Sequence, residues 1–510
     1  MSWSGSASCL LSACLALACR AEPELQVLGE STRLPRSAAS PKKSALFDGE
    51  RISLRAARGE TLGLQLRLRG KQERSARLEL PAAAAHVSAF AVRSLTVREP
   101  STSMYGESAG TGSYPDVLEP VSGSVRSAEL AYFDVEVPRD TSPGRYVGQL
   151  FVDARSIPVE LEVSRASIDL SRDPLVWVFY LPKEIARVHG LPDDDSEALL
   201  EREAEYHRLF RAHGTFLAAD LLPARFDVRR RFVHDVKYWP VAIDISSEAS
   251  IAADVRRWLE LFRDTDVTPF AIPVDEPHSL REKERARDIA AAMRRAGAGR
   301  PSLLCAVTDA QAPVYGDVMD VYFSPVNIPH AKRARSATGE RYWTYNGRPP
   351  QAGSMILDTN GVALRTWGWI AERYEIELWY AWEGLYFSDR YNRGGPTDVA
   401  RDPLTFDERS KGGQDFGNGD GLLAYPGPRP SLRLKALRRG LQDRLLVREL
   451  ARCAPEAARA IVAEVMPRAL GEAGAEASWS LEEEEWERAR RRVLDGIEKE
   501  CHEQSAALAE

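Results

Sequence analysis

Short runs of alternating apolar and polar residues fill the first third of the chain. Between residues 46 and 163, the runs with a period of two are 61–68, 76–80, 87–97, 128–137, 145–152 and 157–163. Successive side chains of a β-strand point to opposite faces, so each run indicates a strand that buries one face. Because no long amphipathic helix separates the runs, they predict an antiparallel β-sandwich.

A glycine- and serine-rich stretch at 101–124 interrupts this pattern. Long loops in a compact domain are often functional, and Tyr114-Pro115-Asp116 within this one is a candidate to extend toward a neighbouring site. An ordinary surface loop is the simpler interpretation, and both stay open.

After Asp173-Pro174, apolar β-rich runs begin to alternate with amphipathic helices, which is typical of parallel βα units. The candidate strands are 176–180, 215–219, 241–245, 270–274, 302–307, 321–324, 341–345, 377–382 and 422–425. The candidate helices are 196–212, 248–262, 280–295, 362–374 and 431–450. Nine strands compete for eight places in a (β/α)8 TIM-like barrel. The run 241–245 is the weakest, because no clear helix precedes it, and the arginine-rich segment 225–238 is a candidate to form a hairpin with it.

These patterns divide the 510 residues into a leader at 1–20, a sandwich at 21–170, a barrel at 171–450 and a charged helical tail at 451–510. The leader has no acidic residue and is rich in Ala, Leu, Ser and Cys, as secretory signals are. Its segments ending at Cys14 and Cys19 each resemble a bacterial lipobox. We therefore expect an exported protein, anchored to the membrane through a lipidated cysteine or else periplasmic or secreted. A plain signal peptide is the alternative, and a bridge between Cys453 and Cys501 is left open.

Composition narrows the class of partner. The formal charge of -7 comes from 75 acidic and 68 basic residues spread along the chain, which argues against nucleic acid as a partner. The eight histidines lack the paired spacing of a metal site, and no nucleotide-binding loop or nucleophile elbow occurs. We expect no metal and no cofactor.

Asp275 and Glu276 follow an apolar run that we predict to be a barrel strand. Charge at the end of a buried strand is costly unless it is paired or used, and barrel enzymes place catalytic groups at the carboxyl ends of their strands. The pair is therefore our first candidate for a general acid beside an orienting carboxylate. The structural alternative is a helix start, with Glu276 near the N-cap and Pro277 in the first turn.

Aromatic residues concentrate between positions 343 and 386. Trp343, Tyr345 and Trp382 lie at or near predicted strand ends and are candidates for a sugar platform, with Tyr386 close by. Two further tryptophans, Trp367 and Trp369, fall on a predicted helix and are better explained as core.

Glu383, directly after Trp382, has two interpretations. It could face Glu276 as the second carboxylate of a conventional glycosidase, or it could form a salt bridge with a barrel arginine.

Three segments together resemble glycoside hydrolase family 123, the N-acetyl-β-galactosaminidase family. They are Pro273-Val274-Asp275-Glu276-Pro277, Leu378-Trp379-Tyr380-Ala381-Trp382, and the stretch 419–427 with the helix after it. The resemblance extends over about residues 58–450. It implies a sandwich joined to a catalytic barrel and substrate-assisted catalysis, in which the 2-acetamido oxygen of the sugar attacks the anomeric carbon. By this resemblance Asp275 would orient the acetamido group, and Glu276 would act as the acid and base.

The leading hypothesis is thus a retaining glycoside hydrolase that removes terminal β-linked N-acetylgalactosamine from a glycan or glycoconjugate. One alternative is a two-carboxylate retaining glycosidase that uses Glu276 and Glu383. The other is a non-catalytic surface lipoprotein that binds glycans.

Overall fold

The computed structural model describes residues 25–33, 44–68, 73–127, 129–172, 174–297, 303–326 and 339–501. The predicted leader, with Cys14 and Cys19, lies outside these residues. His330 and His502, two of the histidines considered as metal ligands, also lie outside the described residues. The same holds for residues 128 and 302, each the first residue of a predicted strand.

The N-terminal part is a sandwich of two five-stranded sheets. In spatial order, one sheet consists of Leu25–Gly29, Thr61–Leu68, Leu130–Glu136, His86–Val97 and Gly112–Val121. The other consists of Ile52–Arg58, Arg155–Ser167, Gly144–Val152, Arg74–Glu79 and Val125–Ser127. Leu64 and Phe133 from the first sheet and Leu54 and Leu161 from the second are buried in one shared core. Their burial explains the period of two, since the opposite faces of these strands carry the polar residues.

Two features of the sandwich differ from the prediction. Ile52–Arg58 pairs in parallel with Arg155–Ser167, so the sandwich is not purely antiparallel. The stretch 101–124 is not one loop, because Gly112–Val121 within it forms an edge strand along His86–Val97. That pairing buries Tyr114 and Asp116 completely.

Eight parallel strands form the nearly closed barrel. In spatial order they are Thr215–Ala218, Val176–Phe179, Trp379–Ala381, Arg341–Tyr345, Val321–Phe323, Leu304–Val307, Thr268–Ala271 and Tyr238–Pro240. Seven of the nine candidates contribute a strand. The candidate 241–245 is wrong, because the preceding Tyr238–Pro240 pairs with Thr268–Ala271 instead and buries its two rings in the core. The candidate 422–425 forms a separate hairpin, in which Ala424–Tyr425 pairs with Arg429–Pro430.

The main helices match the predicted ones closely. They are Glu197–Arg211, Glu248–Leu261, Leu280–Ala296, Thr366–Tyr374 and Leu432–Cys453. In place of the suggested hairpin at 225–238, the chain forms the short helix Pro223–Phe226 and the 3-10 turn Asp227–Phe232. The tail contains the helices Pro455–Val465 and Glu483–Gly496, and a disulfide bond joins Cys453 to Cys501. No helix among the described residues has both the length and the apolar character needed to span a membrane.

Helix Leu432–Cys453 connects the barrel to the sandwich through buried charge. Four of its basic residues are almost fully buried and bond to carboxylates of the sandwich: Arg433 to Asp116, Lys435 to Asp134, Arg438 to Glu30 and Asp134, and Arg439 to Glu60. Burial alone would raise the pKa of Asp134, but the nearby Arg438 and Lys435 hold it well below its usual value. The two domains are therefore fixed to each other by paired ions in a buried interface.

Candidate active site at the barrel mouth

Asp275 and Glu276 stand exposed just beyond the carboxyl end of strand Thr268–Ala271, at the mouth of the barrel. The next strand, Leu304–Val307, is followed by Thr308, whose hydroxyl connects the pair. It accepts a hydrogen bond from the backbone N–H of Glu276 at 2.6 Å and donates one to Asp275 Oδ1 at 2.6 Å. Glu276 has a left-handed backbone, with φ of 42°, which is uncommon for a residue with a side chain. One buried hydroxyl thus holds the Asp275 carboxylate and the Glu276 backbone at the turn.

The helix-start interpretation of this pair is wrong. The cap of helix Leu280–Ala296 is Ser279, which forms a capping box with Glu282. Asp275 and Glu276 precede that cap in the chain and form no hydrogen bond with it. Their side chains remain available at the mouth.

Tyr345 meets Glu276 from across the mouth. It ends strand Arg341–Tyr345, and its hydroxyl donates a hydrogen bond to Glu276 Oε1 at 3.1 Å. Burial and the neighbouring charge of Glu276 raise the pKa of Tyr345 far above its usual value. The phenol therefore stays protonated and acts as a donor near neutral pH.

Two further groups complete this wall of the mouth. Asp220 follows strand Thr215–Ala218, and desolvation, aided by the charge of Asp275, raises its pKa to about 6. Tyr380 stacks on Trp177 with ring centroids 4.1 Å apart, and burial together with Asp275 and Asp220 raises its pKa well above normal. Asp220 and Thr308 were not predicted as site residues. Both directly follow predicted strands, so the rule that nominated Asp275 would also have identified them.

Trp382 is the sugar-platform candidate whose ring is held at the edge of the mouth. Its indole N–H donates to Asp420 Oδ1 at 3.0 Å, and its backbone N–H donates to Asn346 Oδ1 at 2.9 Å. Asp420 is completely buried, which raises its pKa to about 7. The half-buried ring also contacts Tyr386 and Tyr391. Asp420 was not predicted, although it lies in the glycine-rich stretch that carries the family resemblance.

Three other predicted site residues, Trp343, Glu383 and Tyr386, are buried away from the mouth. Trp343 has no exposed surface and packs against Tyr238, Phe270 and Phe323 inside the barrel, one layer below Tyr345. Contrary to the prediction, its ring cannot lie against a sugar. The helical Trp367 and Trp369 are core residues, as predicted.

Glu383 and Tyr386 are also fully buried. Glu383 forms an ion pair with Arg390, and desolvation raises its pKa to about 7. Tyr386 donates a hydrogen bond to Asp389 at 2.9 Å. Of the two interpretations of Glu383, the geometry matches the salt bridge, although Arg390 lies in the loop after strand Trp379–Ala381 rather than on a strand. Neither side chain reaches the mouth directly.

The sandwich also contributes to the mouth. Tyr105, in the 3-10 turn Ser103–Tyr105, has its pKa raised well above normal by burial and by the charges of Asp420 and Glu276. Its phenol therefore lies within electrostatic reach of both, and no pattern in the barrel segment alone points to it. Across the described parts of the chain, no group of three or more His, Cys, Asp or Glu side chains could hold a metal ion.

A parallel barrel with adjacent carboxylates at its mouth is an arrangement found in glycoside hydrolases, and comparison with known proteins indicates the family. Residues 256–450 match the model of the glycoside hydrolase 123 catalytic domain, a segment that includes Asp275, Glu276, Tyr345 and Asp420. Residues 256–450 of this chain thus match a catalytic domain of glycoside hydrolase family 123, the family that the sequence resembles. No curated protein matches the chain in sequence.

Solved structures support the fold. A family 123 glycoside hydrolase from Clostridium perfringens, described in connection with glycolipid glycan hydrolysis, superimposes with a TM-score of 0.64 at 11% identity, covering 96% of this chain and 100% of its own. A family 2 glycosyl hydrolase from Bacteroides cellulosilyticus gives a TM-score of 0.26 at 10% identity, over 64% of this chain and 44% of its own. The first likeness establishes the shared architecture, and the second is too low to support any conclusion.

Proposed function

We propose that the chain removes terminal β-linked N-acetylgalactosamine from a glycan by substrate-assisted, retaining catalysis. The observation that carries this proposal is the unequal placement of the two adjacent carboxylates. Asp275 is bonded to the buried hydroxyl of Thr308, whereas Glu276 is turned by its left-handed backbone toward Tyr345 and the open mouth. One carboxylate is held for orientation, and the other lies beside the Tyr345 phenol at the open mouth, where it can exchange a proton.

In the first step, protonated Glu276 donates its proton to the glycosidic oxygen, and the bond from that oxygen to the anomeric carbon breaks. The carbonyl oxygen of the sugar's own acetamido group attacks the same carbon and closes an oxazoline-type ring. Asp275 accepts a hydrogen bond from the acetamido N–H and stabilises the positive charge that develops there. In the second step, ionised Glu276 takes a proton from water, and the water oxygen attacks the anomeric carbon. The bond from that carbon to the acetamido oxygen breaks, so the ring opens with net retention.

The buried environment of Glu383 argues against the two-carboxylate alternative. A nucleophile must reach the anomeric carbon, but both oxygens of Glu383 are enclosed and one is paired with Arg390. Asp275 and Glu276 are instead exposed to solvent, which suits a mechanism in which the substrate supplies the nucleophile.

The proposal also includes the class of glycan on which the chain acts. The relative from Clostridium perfringens is described with glycolipid glycans, so we infer that this chain acts on the exposed ends of glycolipids or similar glycoconjugates. Such substrates lie outside the cytoplasm, consistent with an exported, lipid-anchored protein as the leader predicts. Release of the acetamido sugar from an intact glycolipid would support this inference, and activity on free oligosaccharides alone would oppose it.

Aryl β-glycosides with and without a 2-acetamido group test the mechanism. We expect turnover of the acetamido substrates only, because the other sugars lack the internal nucleophile. Glu276→Gln should lower kcat about 10²–10⁴-fold through loss of the acid and base, and Asp275→Asn about 10²–10³-fold. Glu485→Gln, at an exposed side chain of helix Glu483–Gly496, is the matched control and should keep full activity.

A thiazoline analogue of the intermediate separates the two enzyme mechanisms. Only the substrate-assisted enzyme should bind it much more tightly than substrate, because it resembles the cyclic intermediate. Full turnover by both carboxylate variants, or no inhibition by the analogue, would refute the mechanism.

A further inference from the structure

Residues 101–109, here called the 101–109 segment, leave the sandwich between strands His86–Val97 and Gly112–Val121 and lie on the barrel. Asp358 of the barrel domain holds both ends of this segment. It accepts hydrogen bonds from the backbone N–H of Ser101 at 2.8 Å and from the Ser101 hydroxyl at 2.6 Å, and its carbonyl accepts the N–H of Ala109 at 2.7 Å. The segment is therefore a fixed part of the barrel surface, although it belongs to the other domain.

The same segment is also hydrogen-bonded to strand Phe416–Asn418, which lies two residues before Asp420 in the chain. Thr102 donates its N–H to the carbonyl of Phe416 at 3.0 Å and accepts the Phe416 N–H on its hydroxyl at 3.1 Å. Asn418 donates its N–H to the Ser101 hydroxyl at 2.8 Å. The position of the segment is thus tied to the position of Asp420, and through Asp420 to the Trp382 ring.

Tyr105 lies at the tip of this segment. The adjacent Gly106 has φ of 101°, and a β-carbon there would come within 2.8 Å of the Pro349 ring, so the tip packs directly on the loop that follows Tyr345. The charged and phenolic groups whose electrostatic influence raises the pKa of Tyr105 are Asp420, Glu276, Tyr345 and Tyr380, all from the barrel. Within the described part of the chain, no hydrogen-bond partner meets its hydroxyl.

A half-buried phenol with an unused hydroxyl is unfavourable unless a ligand or water supplies the missing bond. Tyr105 lies within electrostatic reach of the general-acid candidate, Glu276, and of Asp420, which accepts the indole N–H of the platform ring, Trp382. A sugar bound beside Asp275 and Glu276 would therefore bring its ring hydroxyls close to Tyr105.

We propose that Tyr105 is a substrate-binding residue supplied by the sandwich, and that its hydroxyl hydrogen-bonds to a ring hydroxyl of the terminal sugar. This inference rests on the proposed location of the active site but not on the proposed mechanism. It makes the sandwich part of the specificity pocket and the barrel mouth incomplete without it. Because Asp358 and Asn418 hold the segment in place, Tyr105 is positioned before the sugar arrives, which limits the entropy lost on binding.

Tyr105→Phe tests the role of the hydroxyl, since the ring and its packing remain. The matched control is Tyr146→Phe, on strand Gly144–Val152 of the sandwich, whose hydroxyl donates to the local carbonyl of Ser142. Loss of one sugar hydrogen bond should weaken binding about tenfold. We therefore expect Tyr105→Phe to raise KM about tenfold with little change in kcat or melting temperature, and Tyr146→Phe to match the parent.

A second measurement uses the Glu276→Gln chain, so that binding is read without turnover. Its intrinsic tryptophan fluorescence is titrated with N-acetylgalactosamine, N-acetylglucosamine and galactose, with and without Tyr105→Phe. Equal affinities in the two chains, or no binding of any of the three sugars, would overturn the inference. Full turnover by Glu276→Gln combined with weaker binding by Tyr105→Phe would refute only the mechanism and leave Tyr105 as a sugar contact.

Discussion

Replacing Thr308 with valine tests whether one hydroxyl organises the two candidate catalytic carboxylates. Valine has nearly the same shape, so the change removes two hydrogen bonds, to the Glu276 N–H and to Asp275 Oδ1, and leaves the packing in place. Thr308 is 5% exposed, whereas the groups that it bonds are open to solvent. Water can therefore replace part of what is lost at the carboxylates.

The magnitude follows from these contacts. A net contribution of about 1 kcal/mol for each hydrogen bond gives a loss of about 2 kcal/mol in the free energy of unfolding. If the same bonds hold the carboxylates in the reactive geometry, a loss of about 2 kcal/mol of transition-state stabilisation lowers kcat about 30-fold. Substrate affinity should change less than kcat, because Thr308 itself does not face the mouth.

The control for this substitution is Thr344→Val. Thr344, on strand Arg341–Tyr345, is 1% exposed, and its hydroxyl has no hydrogen-bond partner within the described residues. Its replacement should leave kcat unchanged and leave stability equal or slightly higher. Steady-state kinetics on an aryl 2-acetamido glycoside and thermal unfolding measure both variants. A Thr308→Val enzyme with kcat within twofold of the parent would refute the assigned role of the hydroxyl, and Thr308→Ser should restore activity if the role is correct.

Two other substitutions test the electrostatics. Asp220→Asn should abolish an ionisation near pH 6 in the pH profile of kcat/KM, since burial and Asp275 raise the pKa of Asp220 to about 6. Because this folded-state pKa lies above the usual value, the stability contributed by protonated Asp220 is present below about pH 4 and lost as the pH rises through about 6. Asp220→Asn should therefore unfold at a higher temperature than the parent at pH 7 and at an equal temperature at pH 4, and a pH-independent difference would contradict this. Arg433→Met should lower the free energy of unfolding by about 3–5 kcal/mol, because it removes the guanidinium that hydrogen-bonds buried Asp116 and leaves the more distant Arg33, at 4.0 Å, as the remaining cation beside it. Arg452→Met at an exposed ion pair should cost under about 1 kcal/mol. Equal losses in denaturant unfolding of these two variants would show that burial does not govern the pair.

Much of the fold could be predicted because burial of one face of an element spaces its apolar residues regularly along the sequence. The sandwich strands and the five main helices each bury one face, and this produces the periods of two and of 3.6 residues. Short elements without such a face were missed. Gly112–Val121 looks like a loop by composition and becomes a strand only by pairing with His86–Val97. Tyr238–Pro240 is too short to show any period, and the more β-like run after it was chosen instead.

The sequence predicted at which end of the barrel the site lies, but not which side chains point into it. The strand-end rule placed Asp275, Glu276 and Tyr345 near the mouth, where they lie. It could not distinguish Trp343 from Tyr345, which point to the same side of one strand but occupy successive layers of the barrel. Glu383 is enclosed because the loop after strand Trp379–Ala381 folds back and brings Arg390 onto it, a contact without any local sequence signal.

The buried basic face of helix Leu432–Cys453 determines which sandwich domains can be joined to this barrel. A chimera whose sandwich lacks Glu30, Asp116 and Asp134 would bury Arg433, Lys435 and Arg438 without the carboxylates that neutralise them. Several unpaired buried charges would offset most of the stability of an ordinary domain, which is about 5–15 kcal/mol. The sandwich is therefore not a module that can be exchanged freely between related barrels, and any chimera must carry the helix and its carboxylates together.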